Sequence, residues 1–145
     1  MGFLFFYKKP FIISKQLSYN KDEKLKSRKL IQHLFDEGKS FSVFPVKVLY
    51  DAIEDTAVPI KAGVAVSSRR FKKAVDRNRI KRTLREVYRQ QKLPLQNTLA
   101  EKRTSFAVFF IYTGKELPVF NELYQKMGII LQRLQSQVIN LPLPN

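Results

Sequence analysis

Apolar residues recur at helical spacing in three segments of this 145-residue chain. In the first segment they lie within residues 30–35, and Gly38 follows as a natural helix end. The second segment ends near Lys92, because Pro94 disfavours helix continuation. The third opens at Pro118. Its large apolar residues form a stripe that is predicted to be buried in the core: Val119, Leu123, Met127, Ile130, Leu131 and Leu134.

Three other segments have the composition and length of β-strands. Phe41–Tyr50 is rich in β-branched and aromatic residues, and Pro45 within it predicts an edge position or a bulge. A second strand is predicted at Ile60–Ser67, and we expect these two strands to form a hairpin with a long loop. Residues 93–105 are polar and are predicted to be irregular. Phe106–Tyr112 is continuously apolar, which predicts a central strand covered on both faces.

The resulting order is helix, strand, strand, helix, strand, helix, which predicts the α+β class with a small sheet packed against helices. The length suits a single domain with a substantial core. We place that domain at residues 21–140, with an N-terminal extension at 1–20 and a tail at 141–145. The apolar start of the extension is too short for the core of a signal peptide. Residues 1–13 are therefore interpreted either as an extra strand or tail packed on the domain, or as a start site assigned too early.

The second helical segment differs from the rest of the chain in its charge. Arg69–Lys92 contains eleven basic residues against Asp76 and Glu86, a net charge of +9 in a chain whose total is +15. At 100° per residue, the apolar residues fall in one sector and a polar, mostly basic stripe falls in the next. The stripe consists of Asn78, Lys81, Arg82, Arg85 and Arg89. Because such charges repel and only Glu86 can offset them, the stripe indicates a polyanion-binding surface rather than a solvated face.

The overall charge, the Cys and His content and the positions of the glycines and carboxylates limit the partners and reactions that the chain can support. An isoelectric point near 10.2 favours nucleic acid over an anionic membrane as the partner. The chain has no Cys and a single histidine, His33, which fits a helix surface better than a metal centre. Its five glycines are far apart and its twelve carboxylates are dispersed, so neither a phosphate-binding loop nor an acid–base pair is indicated. We therefore predict no catalytic residue and no metal site in this chain.

The order of residues in the basic helix is more specific than its charge. Arg77-Asn78-Arg79, followed by Lys81-Arg82 and Arg85-Glu86, resembles the RNR signature of the bacterial ribonuclease P protein subunit. Three other stretches are similar to elements of the same family. Phe35–Ser40 resembles its F-x-x-G-x-S element, and Val48–Tyr50 resembles the strand that follows this element. Gly63–Ser67 resembles the strand that leads into the RNR motif. The similarity runs from about Leu25 to Leu134.

The resemblance implies an accessory subunit of a ribonucleoprotein endoribonuclease, in which a catalytic RNA removes the 5′ leader of precursor tRNA. The Mg²⁺ of the reaction would be bound mainly by that RNA, and none by the protein. The resemblance also implies an α-β sandwich of the ribosomal-protein-S5-domain-2-like type. Its strand–helix–strand crossover would be left-handed, although the general preference is right-handed. The protein would be a cytoplasmic monomer within the ribonucleoprotein, with neither DNA nor a membrane as partner.

The resemblance also assigns site residues. The implied contacts with the catalytic RNA are Arg69, Arg70, Arg77, Asn78, Arg79, Lys81, Arg82, Arg85 and Arg89. Family members hold the leader between the first helix and the sheet with aromatic side chains, and Phe35 and Tyr50 match two of those positions. Ile31 stands where an aromatic residue is common. For Phe35 and Tyr50, burial in the core is the alternative to stacking on leader bases.

Two other classes of function fit part of the pattern. A ribosomal protein or another structural RNA-binding protein without a role in cleavage would share the charge and the element order. A DNA-binding module would need a helix-turn-helix or a dimer seam before the basic helix, which instead follows a predicted strand.

Overall fold

The computed structural model describes Tyr19, residues 21–54 and residues 57–141. A 3₁₀ turn at Lys21–Glu23 precedes the first helix. The helices are α1 (Arg28–Glu37), α2 (Ala74–Gln91), α3 (Leu93–Glu101) and α4 (Phe120–Ile139). The strands are β1 (Lys39–Val43), β2 (Val46–Ile53), β3 (Ile60–Val66) and β4 (Ser105–Tyr112). Among these described residues, no helix has both the length and the apolar character needed to cross a membrane. The two interpretations of residues 1–13 lie outside the described residues.

The strands form one mixed sheet in the order β1-β2-β4-β3. Strand β2 is antiparallel to β1 and to β4, whereas β3 runs parallel to β4. Strand β4 is therefore central, and all of its residues except Ile111 are buried. The predicted α+β class and the predicted central strand are confirmed. The handedness of the crossover from β3 to β4 stays a prediction.

The segment Phe41–Tyr50, predicted as one strand, belongs to two strands. A turn at Phe44 and Pro45 separates β1 from β2, and the two strands pair as a hairpin in which Phe41 faces Val48. Pro45 ends the ladder because it has no N–H to donate. The predicted hairpin between this segment and Ile60–Ser67 is wrong. Strand β4 takes the place beside β2, where its apolar side chains are covered on both faces.

Residues 93–105, predicted to be irregular, include helix α3. Pro94 lies in its first turn, where a missing backbone N–H costs nothing. The proline that was predicted to stop α2, which ends at Gln91, therefore belongs to the next helix. Leu95 and Leu99, one helical turn apart, bury the apolar side of this short element. Helix α4 begins at Phe120 rather than at Pro118, so the predicted core residue Val119 precedes it and is exposed.

Helices cover both faces of the sheet. Helices α2, α3 and α4 pack on one face around a large core that includes Val48, Tyr50 and Phe110. Helix α1 packs on the opposite face around a smaller core that includes Leu49 and Phe109. This division follows from the alternation of side chains along β2. The domain therefore presents two separate surfaces, one on the outer side of α2 and one on the α1 side.

Helix α1 has a defined start and end. The Ser27 hydroxyl caps its first turn by accepting a hydrogen bond from the Leu30 N–H, 3.2 Å away. At its end, the Gly38 N–H donates to the Leu34 carbonyl at 3.0 Å. A Cβ at Gly38 would lie 2.5 Å from that same oxygen, so the close approach requires glycine. The predicted helix end at Gly38 is confirmed.

The segment before α1 is attached to the main body by buried polar contacts. The Lys92 ammonium contacts the Glu23 carboxylate, and both side chains are buried. Gln96 Nε2 donates to the same Glu23 oxygen at 2.8 Å. The Leu25 N–H donates to the Ala62 carbonyl of the edge strand β3 at 3.0 Å. These contacts hold the chain entering α1 against both the sheet and the junction of α2 and α3.

Candidate nucleic-acid interface

Helix α2 presents a basic outer side because its apolar side faces the core. Its buried residues are the four predicted from spacing: Ile80, Leu84, Val87 and Tyr88. We call five polar residues outside this buried side the α2 basic surface: Asn78, Arg79, Lys81, Arg82 and Arg85. Lys81 is half-buried and the other four are exposed. The one-sided helix predicted from the sequence is confirmed.

Within the part of the chain that the structure describes, no carboxylate forms an ion pair with Arg79, Lys81, Arg82 or Arg85. Their side chains carry four positive charges over two turns of one helix. Such a surface is suited to neutralising the phosphates of a nucleic acid, whose counterions are released on binding.

Glu86 pairs with Arg89 rather than with Arg82, although both spacings occur on a helix surface. Arg89 Nη2 and Nε lie 2.6 Å and 3.1 Å from the two carboxylate oxygens, and Gln90 Nε2 donates at 2.8 Å. The hydrogen bonds from Arg89 and Gln90 lower the pKa of Glu86 to about 2. A nucleic acid that contacts Arg89 therefore competes with this carboxylate. The RNA contact of Arg89 stays a prediction.

Arg77, the first arginine of the signature, holds the chain that enters α2. Its Nη1 donates to the carbonyls of Phe71 and Lys72, each at 2.8 Å. Lys73 at the N-cap offers no side-chain cap. Arg77 does not replace that cap, but its hydrogen bonds to the two carbonyls fix the turn before the helix. Sequence spacing did not indicate this role. The guanidinium is half-buried and keeps other donors for a phosphate.

Arg69 and Arg70 lie in the turn between β3 and α2, and both are exposed. The Arg70 guanidinium donates to the carbonyl of Thr113, just beyond the end of β4. The structure thus places both arginines next to the start of the basic helix. Their contact with RNA stays a prediction.

The structure separates Tyr50 from the other two residues predicted to bind the leader. Phe35 on α1 is 55% exposed, and its ring packs edge-on against Phe109 at 5.9 Å. Ile31 on the same helix is half-buried on the α1 face of the sheet. Tyr50 is 7% exposed and lies in the core of the opposite face, stacked on Phe106. Its burial raises the pKa of its hydroxyl group.

The prediction that Tyr50 shares a cleft with Phe35 is therefore wrong. Alternation along β2 directs Leu49 toward α1 and Tyr50 away from it. Core burial, the alternative considered from the sequence, describes Tyr50 correctly. Phe35 remains available for stacking on the α1 side.

An interaction at His33 fixes α1 to the sheet and was not predicted. His33 Nε2 lies 2.8 Å from Asp51 Oδ2 on β2, and Nδ1 lies 3.5 Å from the Glu37 carboxylate. Asp51 is two residues beyond Leu49 and so shares its face of the sheet. The alternation of side chains along β2 is the sequence signal from which this contact could have been predicted. Among the described residues, no cluster of three or more His, Cys, Asp or Glu side chains is suited to hold a metal ion.

Comparisons with known proteins identify the family. The sequence model of the family described as Ribonuclease P matches residues 19–135. The chain belongs to this family. The ribonuclease P protein component of Porphyromonas gingivalis is 36% identical over 127 residues, covering 87% of this chain and 93% of the relative. These matches confirm the resemblance and favour it over the ribosomal-protein alternative.

Solved structures of the family share the fold. The ribonuclease P protein of Staphylococcus aureus superposes with a TM-score of 0.64 at 18% identity, covering 81% of this chain and 98% of that one. The protein from Thermotoga maritima gives a TM-score of 0.58 at 26% identity, covering 77% and 96%. The α-β arrangement around a four-stranded sheet is therefore that of bacterial ribonuclease P proteins.

Proposed function

We propose that this chain, a ribonuclease P protein subunit by family, binds the catalytic RNA of that enzyme through the α2 basic surface. The observation that carries the proposal is a set of four cations along α2 that have no carboxylate partner among the described residues, three of them exposed and Lys81 half-buried: Arg79, Lys81, Arg82 and Arg85. Four phosphate contacts would give a slope of about −3 in a plot of log affinity against log salt concentration. Asn78 would add an amide hydrogen bond to backbone oxygens.

The second RNA surface would be the α1 side, which contacts the 5′ leader of precursor tRNA. Phe35 presents more than half of its surface there, and Phe109 holds its ring from one edge. An exposed aromatic ring can stack on an unpaired base with little sequence preference, at roughly 1–3 kcal/mol. Ile31 supplies an apolar flank on the same helix. This mode of contact suits a leader whose sequence varies between substrates.

In this mechanism the protein supplies no group that cleaves the phosphodiester bond. The RNA holds the Mg²⁺ that assists hydrolysis, as such ions do in other phosphoryl-transfer sites. The protein places positive charge between two polyanions and fixes one end of the substrate. Both effects lower the repulsion that Mg²⁺ would otherwise have to screen. The requirement for Mg²⁺ should therefore fall when the protein is present.

Reconstitution with the ribonuclease P RNA of the same organism tests the proposal. Cleavage of precursor tRNA is measured at low and high Mg²⁺ with the wild-type protein and with an Arg79→Ala, Arg82→Ala double variant. A Lys39→Ala, Arg133→Ala variant removes the same charge outside α2 and serves as the matched control. We expect the α2 variant to lose most of the stimulation at low Mg²⁺ and the control to keep it. Cleavage by the protein alone, or equal activity of both variants, would contradict the proposal.

A further inference from the structure

A groove of about 530 Å³ lies at the end of the sheet next to the start of α2. Three segments meet there: the turn between β1 and β2, the turn before α2, and the loop from β4 into the first turns of α4. Its volume is in the range of sites that bind small ligands or single chemical groups of larger ones. Of the residues assigned above to RNA binding, Arg70 lines this groove, whereas the α2 basic surface and Phe35 lie outside it.

Hydrogen bonds join the segments that form the groove. Arg70 donates to the Thr113 carbonyl, and Thr113 in turn donates to the Pro45 carbonyl through its N–H at 2.7 Å and its hydroxyl at 3.1 Å. The Tyr112 hydroxyl donates to the Glu116 carbonyl at 2.7 Å. These contacts cross-link the walls, so the groove is preorganised and loses little conformational freedom on binding.

The groove is also connected to the signature arginine of α2. Arg77 holds the carbonyl of Phe71, whose ring packs against Tyr112 at 6.0 Å. Tyr112 forms part of the groove wall. The start of α2 is therefore joined to the groove wall, and Arg70, in the turn before α2, lines the groove.

The apolar lining of the groove includes a prominent aromatic ring. Phe44 is 71% exposed at the tip of the β1–β2 turn, and Leu117 and Val119 are also exposed. A large side chain held this far into solvent on a fixed turn does not stabilise the core. It offers a flat apolar face to a partner.

The charged lining contains both signs. Arg70, Lys115 and Lys126 supply cations, while Glu116 and Glu122 supply carboxylates. An acidic peptide or a lipid phosphate carries no base to stack on the ring and no base amino group to donate to the two carboxylates. A nucleotide uses all three features, since its base stacks on an aromatic ring, its amino groups donate to carboxylates, and its phosphates meet cations.

We propose that this groove binds an unpaired nucleotide of the catalytic RNA, with the base on Phe44 and a phosphate at Arg70 or Lys126. The assignment to the catalytic RNA, which rests on the proposed function, follows from the continuity of the groove with the start of α2. The protein then contacts this RNA at two places, one reading phosphates along α2 and one holding a base at the end of the sheet.

The absence of tryptophan from the chain allows a direct test. A Phe44→Trp variant carries a single fluorophore in the groove, and an Ile139→Trp variant carries one at an exposed position at the far end of α4. Each is titrated with ribonuclease P RNA of the same organism and, separately, with precursor tRNA. We expect the catalytic RNA to quench Trp emission of the Phe44→Trp variant at least twofold more than that of the Ile139→Trp variant.

A second measurement uses affinity. Phe44→Ala should weaken binding of the catalytic RNA by roughly 5- to 100-fold, the range found when stacking aromatics are truncated. Phe44→Trp and Ile139→Ala should stay within about twofold of the wild type. Binding of the catalytic RNA without selective quenching, or quenching by precursor tRNA alone, would overturn the groove assignment and leave the proposed function standing. Failure of the catalytic RNA to bind the wild-type protein would overturn both.

Discussion

The ammonium group of Lys92 contacts the carboxylate of Glu23 across 69 positions of the chain, with the Lys92 side chain fully buried. Gln96 donates a further hydrogen bond to that carboxylate. The pair joins the segment before α1 to the junction of α2 and α3. It thereby connects the elements that carry the two proposed RNA surfaces.

Glu23→Ala should lower the free energy of unfolding by about 3–5 kcal/mol, because it leaves a buried ammonium without its carboxylate. Replacing both residues, as Glu23→Leu with Lys92→Met, should recover most of that loss. Urea unfolding of the wild type, the single variant and the double variant measures both effects. A single variant within 1 kcal/mol of the wild type would show that the pair contributes little.

Arg77 and Arg82 should respond differently to truncation, although both belong to the basic helix. Arg77→Ala removes the donor to two carbonyls and should destabilise the protein by about 1–2 kcal/mol, besides weakening RNA binding. Arg82→Ala should weaken RNA binding alone, because that side chain is exposed and unpaired within the described region. Thermal unfolding beside a filter-binding assay separates the two. Equal stability of both variants would remove the structural role of Arg77.

Glu86 should make stability depend on acid pH. Its pKa in the folded protein is about 2, below the ordinary value of 4.5, so its contribution is fully present above pH 4.5. The contribution is lost as the pH falls from 4.5 to about 2. Because the pair with Arg89 is part-exposed, the effect should be below about 1 kcal/mol. Unfolding of wild type and Glu86→Gln between pH 6 and pH 2 checks this, and identical pH dependence would contradict it.

Truncation of Phe35 should affect leader binding, whereas truncation of Tyr50 should affect core packing. Phe35→Ala should weaken binding of precursor tRNA to the holoenzyme by roughly 1–3 kcal/mol, with mature tRNA unaffected. Tyr50→Ala should instead lower the free energy of unfolding by about 3–5 kcal/mol, as truncation of a buried aromatic residue does. Binding assays with both tRNAs and urea unfolding distinguish these results. Equal loss of affinity for precursor and mature tRNA in Phe35→Ala would exclude a leader contact.

Elements whose apolar residues recur at helical spacing or form a continuous run were predicted correctly from the sequence. The apolar stripe of α2 and the continuous run of β4 each define an element and its buried side. The basic character of the side of α2 that faces away from the core follows from the same periodicity. Helix α3 was missed because its buried apolar pair, Leu95 and Leu99, lies in the mainly polar segment 93–105, whose second residue is a proline.

Contacts between distant segments could not be predicted in this way. The pairing of Lys92 with Glu23 depends on where the segment before α1 returns to the body of the domain, which no local spacing reveals. The same holds for Arg77, whose partners are backbone carbonyls available to any residue type. Tyr50 was assigned to the wrong face of the sheet. Similarity of residues identifies a strand, whereas the face to which each side chain points depends on the register of that strand.

The register of β2 has a wider consequence for comparing relatives. Val48, Leu49 and Tyr50 project alternately to the two faces of the sheet, so a shift of one residue in the pairing of β2 would change which of these side chains meets α1. Aligned residue types are therefore a poor guide to the side chains that this strand presents to α1, and the register of β2 is the feature to compare.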